Sequence, residues 1–83
     1  MTEDQIRETV IGALRRIAPE VDPDALDPDQ DLREQADLDS MDCFNLMIAV
    51  GQELKVEIPE SDAPQLNTLN GAVGYLAGRT EAV

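Results

Sequence analysis

The chain of 83 residues has no histidine and no tryptophan, and it contains one cysteine, one tyrosine and one phenylalanine. Without histidine there is no Ser-His-Asp triad, no Cys-His dyad and no metal site with histidine ligands. A single cysteine cannot form an intramolecular disulfide, which is compatible with a reducing compartment. Since apolar residues still make up 42% of the chain, we expect a folded domain with an aliphatic core.

Basic residues are also scarce. Six Lys and Arg stand against 18 Asp and Glu, so the net charge is -12. This charge repels phosphate backbones and anionic lipid surfaces, so we expect neither nucleic-acid nor membrane binding. No apolar run approaches the ~20 residues of a membrane helix, and the charged N-terminal stretch does not have the pattern of a signal peptide. We therefore expect a cytoplasmic monomer with one domain, residues 1–83.

Two long amphipathic helices are predicted from apolar periodicity. Residues 2–5 have the pattern of a capping box with Thr2 as N-cap, and Pro19 ends the helix that follows. A second helix is predicted from about residue 40 to residue 55, with Asp39 as its N-cap.

The connection between these helices, residues 19–39, is rich in acids and has Arg33 as its only base. Asp27, Asp29 and Asp31 alternate as in a calcium loop, but leucines stand where an EF-hand needs glycine and glutamate. We therefore predict no metal site. Loops of this length are usually functional or disordered, and spaced apolar residues favour an ordered, functional one. These anchors are Val21, Leu26, Leu32 and Leu38.

A short third helix and a last helix complete the prediction. Ser61 or Asp62 is expected to cap the short helix, with Pro64 in its first turn. Asn67 or Thr68 is expected to cap the last helix. The predicted buried face of the last helix consists of Leu69, Ala72, Val73 and Leu76. Gly71 and Gly74 lower the stability of this helix, so we expect it to be the least stable one.

The second helix carries an apolar stripe beside its core stripe. Met41, Phe44 and Ile48 form this extra stripe, which indicates either that the helix is more deeply buried or that a partner covers the stripe. Phe44 lies between Ser40 and Met41 on the helical wheel, which favours partial exposure over a place in the core. The core stripe itself consists of Cys43, Leu46, Met47, Val50 and Leu54.

Ser40 is the residue in this sequence that is best placed for chemistry. It follows Asp39 in the first turn of the second helix, where a hydroxyl is exposed and an attached anion lies near the helix N-terminus. Taken alone, Ser40 has a simpler explanation as part of the helix cap. The longer run Leu38-Asp39-Ser40-Met41-Asp42, however, resembles the Asp-Ser-Leu motif of the acyl carrier protein family.

This resemblance covers essentially the whole chain, in spacing, length, acidity and helix order. It implies an all-α four-helix bundle with three main helices and one short helix. The segment Val56-Glu57-Ile58-Pro59 looks like the family's Ile-Glu-Ile-Pro segment. The segment before Ser40 looks more like fatty-acid and polyketide carriers than peptidyl carriers, whose serine usually follows two glycines. Further matching positions are Leu46, Val50, Leu54, Thr68, Ala72, Tyr75 and Leu76.

The resemblance implies a carrier and not an enzyme. A phosphopantetheinyl transferase would attach 4′-phosphopantetheine to Ser40, flanked by Asp39 and Met41, and the arm would hold acyl groups as thioesters. The partners would be that transferase and the enzymes that load, transfer or extend acyl chains in fatty-acid, polyketide or lipid biosynthesis. The implied partner-binding residues are Met41, Asp42, Phe44, Ile48, Glu53 and Glu57. The expected acyl-chain cavity is lined by Cys43, Met47, Val50, Ile58, Ala63, Leu66 and Leu69.

Several positions depart from the family pattern. Met41 stands for the usual leucine, and Asn45, Gly51 and Gln52 stand where acids are common. Together with the bulky Phe44, these departures predict a specialised carrier with its own partners. They also leave open a carrier-like adaptor that is never modified. Cys43 could react with a thioester or form an intermolecular disulfide, but a small buried hydrophobic residue is the more ordinary reading.

Overall fold

The computed structural model describes residues 2–79, and these residues form an all-α bundle, as the sequence predicts. Its α-helices are α1 (Glu3–Ile17), α2 (Leu32–Gln35), α3 (Ser40–Leu54) and α4 (Leu69–Arg79). Two 3-10 segments, Pro23–Ala25 and Glu60–Leu66, complete the order, and the second of them is the predicted short helix. Within the described residues, no helix has the length and apolarity needed to cross a membrane.

Local caps define the starts of α1 and α3, as predicted. In α1 the Gln5 amide donates to Thr2 Oγ1 at 3.2 Å, and the Thr2 amide donates back to Gln5 Oε1 at 2.8 Å. In α3 the Asp42 amide donates to Asp39 Oδ1 at 2.8 Å, and the Asp39 amide donates to Asp42 Oδ2 at 3.3 Å. Both pairs are capping boxes, which satisfy amides that a helix leaves unpaired at its start.

The core is aliphatic, as the composition predicts. Helix α1 packs against both α3 and α4. Burying a Leu, Ile or Val side chain stabilises a fold by about 1.5–3 kcal/mol, so these contacts hold the bundle together. The buried residues are Ile6, Val10, Ala13, Leu14, Leu32, Leu38, Met47, Val50, Leu54, Leu69, Ala72, Val73 and Leu76.

The connection 19–39 is ordered against the bundle. Leu32 and Leu38 are buried, while Val21 and Leu26 are partly buried against the core. The chain here also contains the single turn α2, which the sequence pattern does not predict. Main-chain hydrogen bonds tie this region to the start of α4, because the Leu32 amide donates to the Asn67 carbonyl at 2.7 Å.

The short helix differs in detail from the prediction. It is a 3-10 segment that starts at Glu60 without any side-chain cap, so neither Ser61 nor Asp62 caps it. Pro64 lies inside the segment and not in its first turn. Both expected caps lie inside the segment, which begins at Glu60, and the Asp62 carboxylate contacts Tyr75 of α4 instead.

The structure agrees, with small differences, with the predicted end of α3 and the predicted start of α4. Helix α3 ends at Leu54, one residue early, because Lys55 takes a left-handed conformation with φ of 57°. Of the two caps proposed for α4, Thr68 is the one that acts, since its Oγ1 accepts from the Gly71 amide at 2.9 Å.

Candidate functional site

Ser40 is the first residue of α3 and is exposed. The capping box places its hydroxyl at the surface, because Asp39 is extended and α3 begins directly after it. In the part of the chain that the structure describes, residues 2–79, one cation reaches this hydroxyl. Arg33 Nη2 donates to Ser40 Oγ at 3.5 Å, and Arg33 Nε donates to the Leu38 carbonyl at 3.2 Å. The only base of the acidic connection therefore lies at the serine that the sequence singles out.

The electrostatic surroundings of Ser40 are mixed. Asp39 and Asp42 each accept an amide of the capping box, so both carboxylates lie close to the start of α3. The helix N-terminus and the Arg33 guanidinium provide the balancing positive charge. Among residues 2–79, no group of three or more Cys, Asp or Glu side chains is arranged to hold a metal ion.

A cavity of about 500 Å³ extends from Ser40 into the bundle. Ser40 and Phe44 are exposed and line it, so the cavity reaches the surface at the start of α3. Ala72 and Leu76 of α4 form part of its wall, and Arg33 lies at its edge. Of the residues expected to line an acyl cavity, the structure brings these to this one: Cys43, Met47, Val50, Ala63 and Leu66.

Two of the expected cavity residues lie elsewhere. Ile58 is partly buried against the core and lines a separate groove beside Gly51 and Val56. Leu69 is buried in the core at the first turn of α4, where it does not face the cavity. Sequence reasoning did not assign Arg33 to the site. The sequence feature that could have indicated a role for Arg33 is that it is the only base in the acidic connection 19–39.

Cys43 lies one turn after Ser40 and lines the cavity, half-buried. Burial raises the pKa of its thiol above the ordinary value, and the nearby Arg33 charge opposes this only in part. The thiolate is the nucleophilic form of cysteine, so the raised pKa makes this thiol less reactive near neutral pH. Cys43 therefore acts as a small apolar residue in the partly exposed wall of the cavity.

The extra apolar stripe of α3 is exposed. Met41, Phe44 and Ile48 are 64%, 43% and 41% exposed, respectively. Exposed large apolar side chains that share one helix face are typical of a surface that contacts other proteins. The partial exposure expected for Phe44 is confirmed, and the alternative place in the core is wrong.

The charged residues expected near this stripe have different surroundings. Glu53 lies on the side of α3 that faces α1, where it pairs with Arg16 at 3.1 Å. Asp42 is occupied in the capping box. Glu57, after the end of α3, is exposed. The apolar stripe is therefore flanked by few uncommitted carboxylates.

A polar cluster fastens the segment Glu60–Leu66 to α4. The Tyr75 hydroxyl donates to Asp62 Oδ2, and Arg79 Nη2 pairs with the same oxygen at 2.9 Å. The Arg79 guanidinium also lies 5.0 Å from the centre of the Tyr75 ring. Because Ala63 and Leu66 of this segment line the cavity, the cluster helps to fix one cavity wall.

These features fit a phosphopantetheine arm. An exposed hydroxyl is available for its phosphodiester, a guanidinium lies beside that hydroxyl, and an apolar cavity begins at the same point. An attached arm supplies a terminal thiol for thioester chemistry.

Comparison with known proteins gives the same assignment. The model of the phosphopantetheine attachment site family matches residues 4–76. The chain is 31% identical to the acyl carrier protein of Campylobacter fetus, across 90% of this chain and 91% of that protein. It is 29% identical to the acyl carrier protein of a Picosynechococcus strain, across 95% and 91%, respectively. The mitochondrial acyl carrier protein of Saccharomyces cerevisiae is 26% identical, across 99% of this chain and 68% of that protein. The chain belongs to the acyl carrier protein family and is a carrier of acyl groups on a covalent 4′-phosphopantetheine arm.

Proposed function

We propose that Ser40 is the residue that bears the arm. The observation that supports this most directly is the exposed hydroxyl of Ser40 at the start of α3, at the mouth of the apolar cavity. A phosphopantetheinyl transferase would join the Ser40 oxygen to the phosphorus of coenzyme A that bears the pantetheine group, and the bond from that phosphorus to the bridging oxygen of the diphosphate would break. The hydroxyl proton is lost in that step, and the adenosine bisphosphate part of coenzyme A leaves.

The chain performs no catalysis of its own in this proposal. It has no histidine, and the carboxylates nearest to Ser40 are the capping residues Asp39 and Asp42. These groups are committed to starting α3, so they present Ser40 and do not act on it as bases. Met41 follows Ser40 as an exposed apolar contact for the transferase.

The cavity is proposed to shelter the acyl chain. Cys43, Met47 and Val50 form the α3 side of it, and Ala63 and Leu66 form the opposite side. Burial of a methylene group stabilises by about 0.8 kcal/mol, so chains of increasing length gain from entering until the cavity is full. Nuclear Overhauser contacts between a loaded acyl chain and these side chains test the proposal. An acyl chain that contacts only solvent and the α3 surface would contradict it.

The apolar stripe of α3 is proposed as the partner surface. Met41, Phe44 and Ile48 would contact acyl-loading, acyl-transferring or chain-extending enzymes, with Asp42, Glu53 and Glu57 as the nearby charges. Because Glu53 is paired with Arg16, apolar contacts outweigh charge here, and this supports a specialised set of partners. The test compares acyl forms of this chain and of an ordinary fatty-acid carrier as substrates of a housekeeping ketosynthase. Equal use of the two would contradict specialisation.

Intact mass tests the attachment itself. The purified chain is incubated with coenzyme A, Mg²⁺ and a broad-specificity phosphopantetheinyl transferase, beside Ser40→Ala as the matched control. We expect a gain of one phosphopantetheine in the wild type and none in the variant. A gain that persists in Ser40→Ala would show that another residue is the attachment site. If the wild type gained no mass and protein isolated from its own cells lacked the arm too, the unmodified adaptor would be the better description.

The cytoplasm is the compartment that we propose, from the composition and the single cysteine. The similar protein of Saccharomyces cerevisiae is a mitochondrial carrier. Fractionation of the source cells followed by detection of the chain tests this assignment, and recovery in an organelle would contradict it.

A further inference from the structure

The position of Arg33 is fixed by several contacts. The one-turn helix α2 begins at the N-cap Asp31, whose Oδ1 accepts the Arg33 amide at 2.8 Å. The guanidinium then donates to the Leu38 carbonyl at 3.2 Å and reaches Ser40 Oγ at 3.5 Å. Two separate nitrogens make these contacts, so the side chain is held across the end of the connection with one nitrogen aimed at Ser40.

A phosphodiester on Ser40 creates an electrostatic problem that this position addresses. The new negative charge lies beside Asp39 and Asp42, in a chain whose net charge is already -12. Like charges at short range repel each other even in water. Lys55 is at the far end of α3, roughly 22 Å away along a helix that rises 1.5 Å per residue. Of the two bases that flank α3 in sequence, only Arg33 is therefore close enough to offset the phosphate charge.

We propose that Arg33 is a positioning residue that binds the phosphodiester of the arm attached to Ser40. Its planar guanidinium suits a phosphate better than a lysine ammonium, because its N–H groups can pair with two phosphate oxygens at once. Since Arg33 also lies at the edge of the cavity, this contact holds the first part of the arm at the cavity mouth. The inference rests on Ser40 as the attachment site.

A purely structural role for Arg33 makes a different prediction. If the side chain only closes the connection through the Leu38 carbonyl, its loss destabilises the unmodified and the modified chain equally. If it binds the phosphodiester, its loss destabilises the modified chain more. The comparison therefore needs both forms of each variant.

The experiment measures urea unfolding of the wild type, Arg33→Gln, Arg33→Lys and Lys55→Gln, each with and without the arm. Lys55→Gln is the matched control because it removes one positive charge at the other end of α3. We expect attachment of the arm to change the unfolding equilibrium constant about two- to fivefold more favourably in the wild type than in Arg33→Gln, the range of an exposed ion pair. The effect of attachment in Lys55→Gln should match that in the wild type. The effect in Arg33→Lys should lie between those in the wild type and in Arg33→Gln.

A second measurement reports on the phosphate directly. The ³¹P resonance of the attached phosphodiester should shift between wild type and Arg33→Gln, and 1 M salt should reduce this difference because screening then acts within about 3 Å. Equal effects of attachment in wild type and Arg33→Gln, with unchanged ³¹P resonances, would overturn the inference and leave attachment at Ser40 intact. A wild-type chain that gains no mass with its native transferase would overturn both.

Discussion

The glycines of α4 provide a stability test in which the same substitution has opposite expected signs. Gly74 is exposed in the interior of α4, and a Cβ added there meets no atom within 4 Å beyond the nearby backbone of its own helix. Alanine is favoured over glycine in a helix interior by about 1 kcal/mol. Gly74→Ala is therefore expected to stabilise the protein by about 1 kcal/mol.

This gain is large for a small domain. An 83-residue protein has a free energy of unfolding of roughly 4–12 kcal/mol. For domains of this size, 1 kcal/mol raises the Tm by about 4–8 °C.

Gly71, one turn earlier, is expected to respond in the other direction. A Cβ there would lie 2.8 Å from Thr68 Oγ1 and 3.0 Å from the Gln65 carbonyl oxygen. Thr68 would have to rotate away and lose its capping bond to the Gly71 amide, which typically costs about 0.5–2 kcal/mol. The Gln65 carbonyl belongs to the backbone and cannot yield without moving the 3-10 segment. Gly71→Ala should therefore lower the free energy of unfolding, in spite of its better helix propensity.

Urea and thermal unfolding followed by far-ultraviolet circular dichroism measure both variants against the wild type. The dependence on urea concentration should stay unchanged, because neither variant alters the surface exposed on unfolding. The reasoning is refuted if both variants shift the midpoint in the same direction, or if Gly74→Ala leaves it unmoved. A stabilised Gly74→Ala would also show that this glycine weakens α4, as the sequence predicts.

Three further results are expected. The hydrogen bond to Asp62 raises the pKa of Tyr75, so the folded chain keeps a proton that the unfolded chain releases near pH 10; the free energy of unfolding should fall as pH rises through this range. Tyrosinate absorbance reports this cleanly because there is one tyrosine, and an equal pH dependence in Tyr75→Phe would contradict it. Leu76→Ala should destabilise by about 2–5 kcal/mol because Leu76 is fully buried, and a midpoint near that of wild type would refute its place in the core. Burial raises the pKa of the Cys43 thiol, so a disulfide reagent near neutral pH should react faster with the urea-unfolded chain than with the folded one; equal rates would count against this.

The start of α3 could be predicted from the sequence because its causes are local. Asp39 and Asp42 are three residues apart, and a capping box needs no contact from elsewhere in the chain. The exposure of Met41 and Ile48 likewise follows from their positions on one helix face. These features require only the helical period and the preferences of the first turn.

Other parts of the site depend on contacts between residues distant in sequence. Asp62 is of a residue type that often caps helices, but its carboxylate bonds to Tyr75 and Arg79 of α4 instead. The turn α2 is a second example, since the Leu32 amide bonds to the Asn67 carbonyl across the bundle. No local pattern predicts either pairing, so the missing cap could not be predicted, and the isolation of Arg33 in the acidic connection marks the residue but not the place of its side chain beside Ser40.

The two sides of the cavity differ in what it would cost to move them. On the α3 side, Met47 and Val50 are buried, so opening the cavity there would expose core surface. On the other side, no residue of Glu60–Leu66 is fully buried; the segment packs on α4, where its Asp62 carboxylate contacts Tyr75 and Arg79. This ion pair contributes about 0–1 kcal/mol and the Tyr75 hydrogen bond to the carboxylate about 1.5–3 kcal/mol, which together is less than the burial of Met47 and Val50 at about 1.5–3 kcal/mol each. The cavity is therefore expected to widen by displacement of this 3-10 segment, which lets a carrier with a small core accept acyl chains of different lengths.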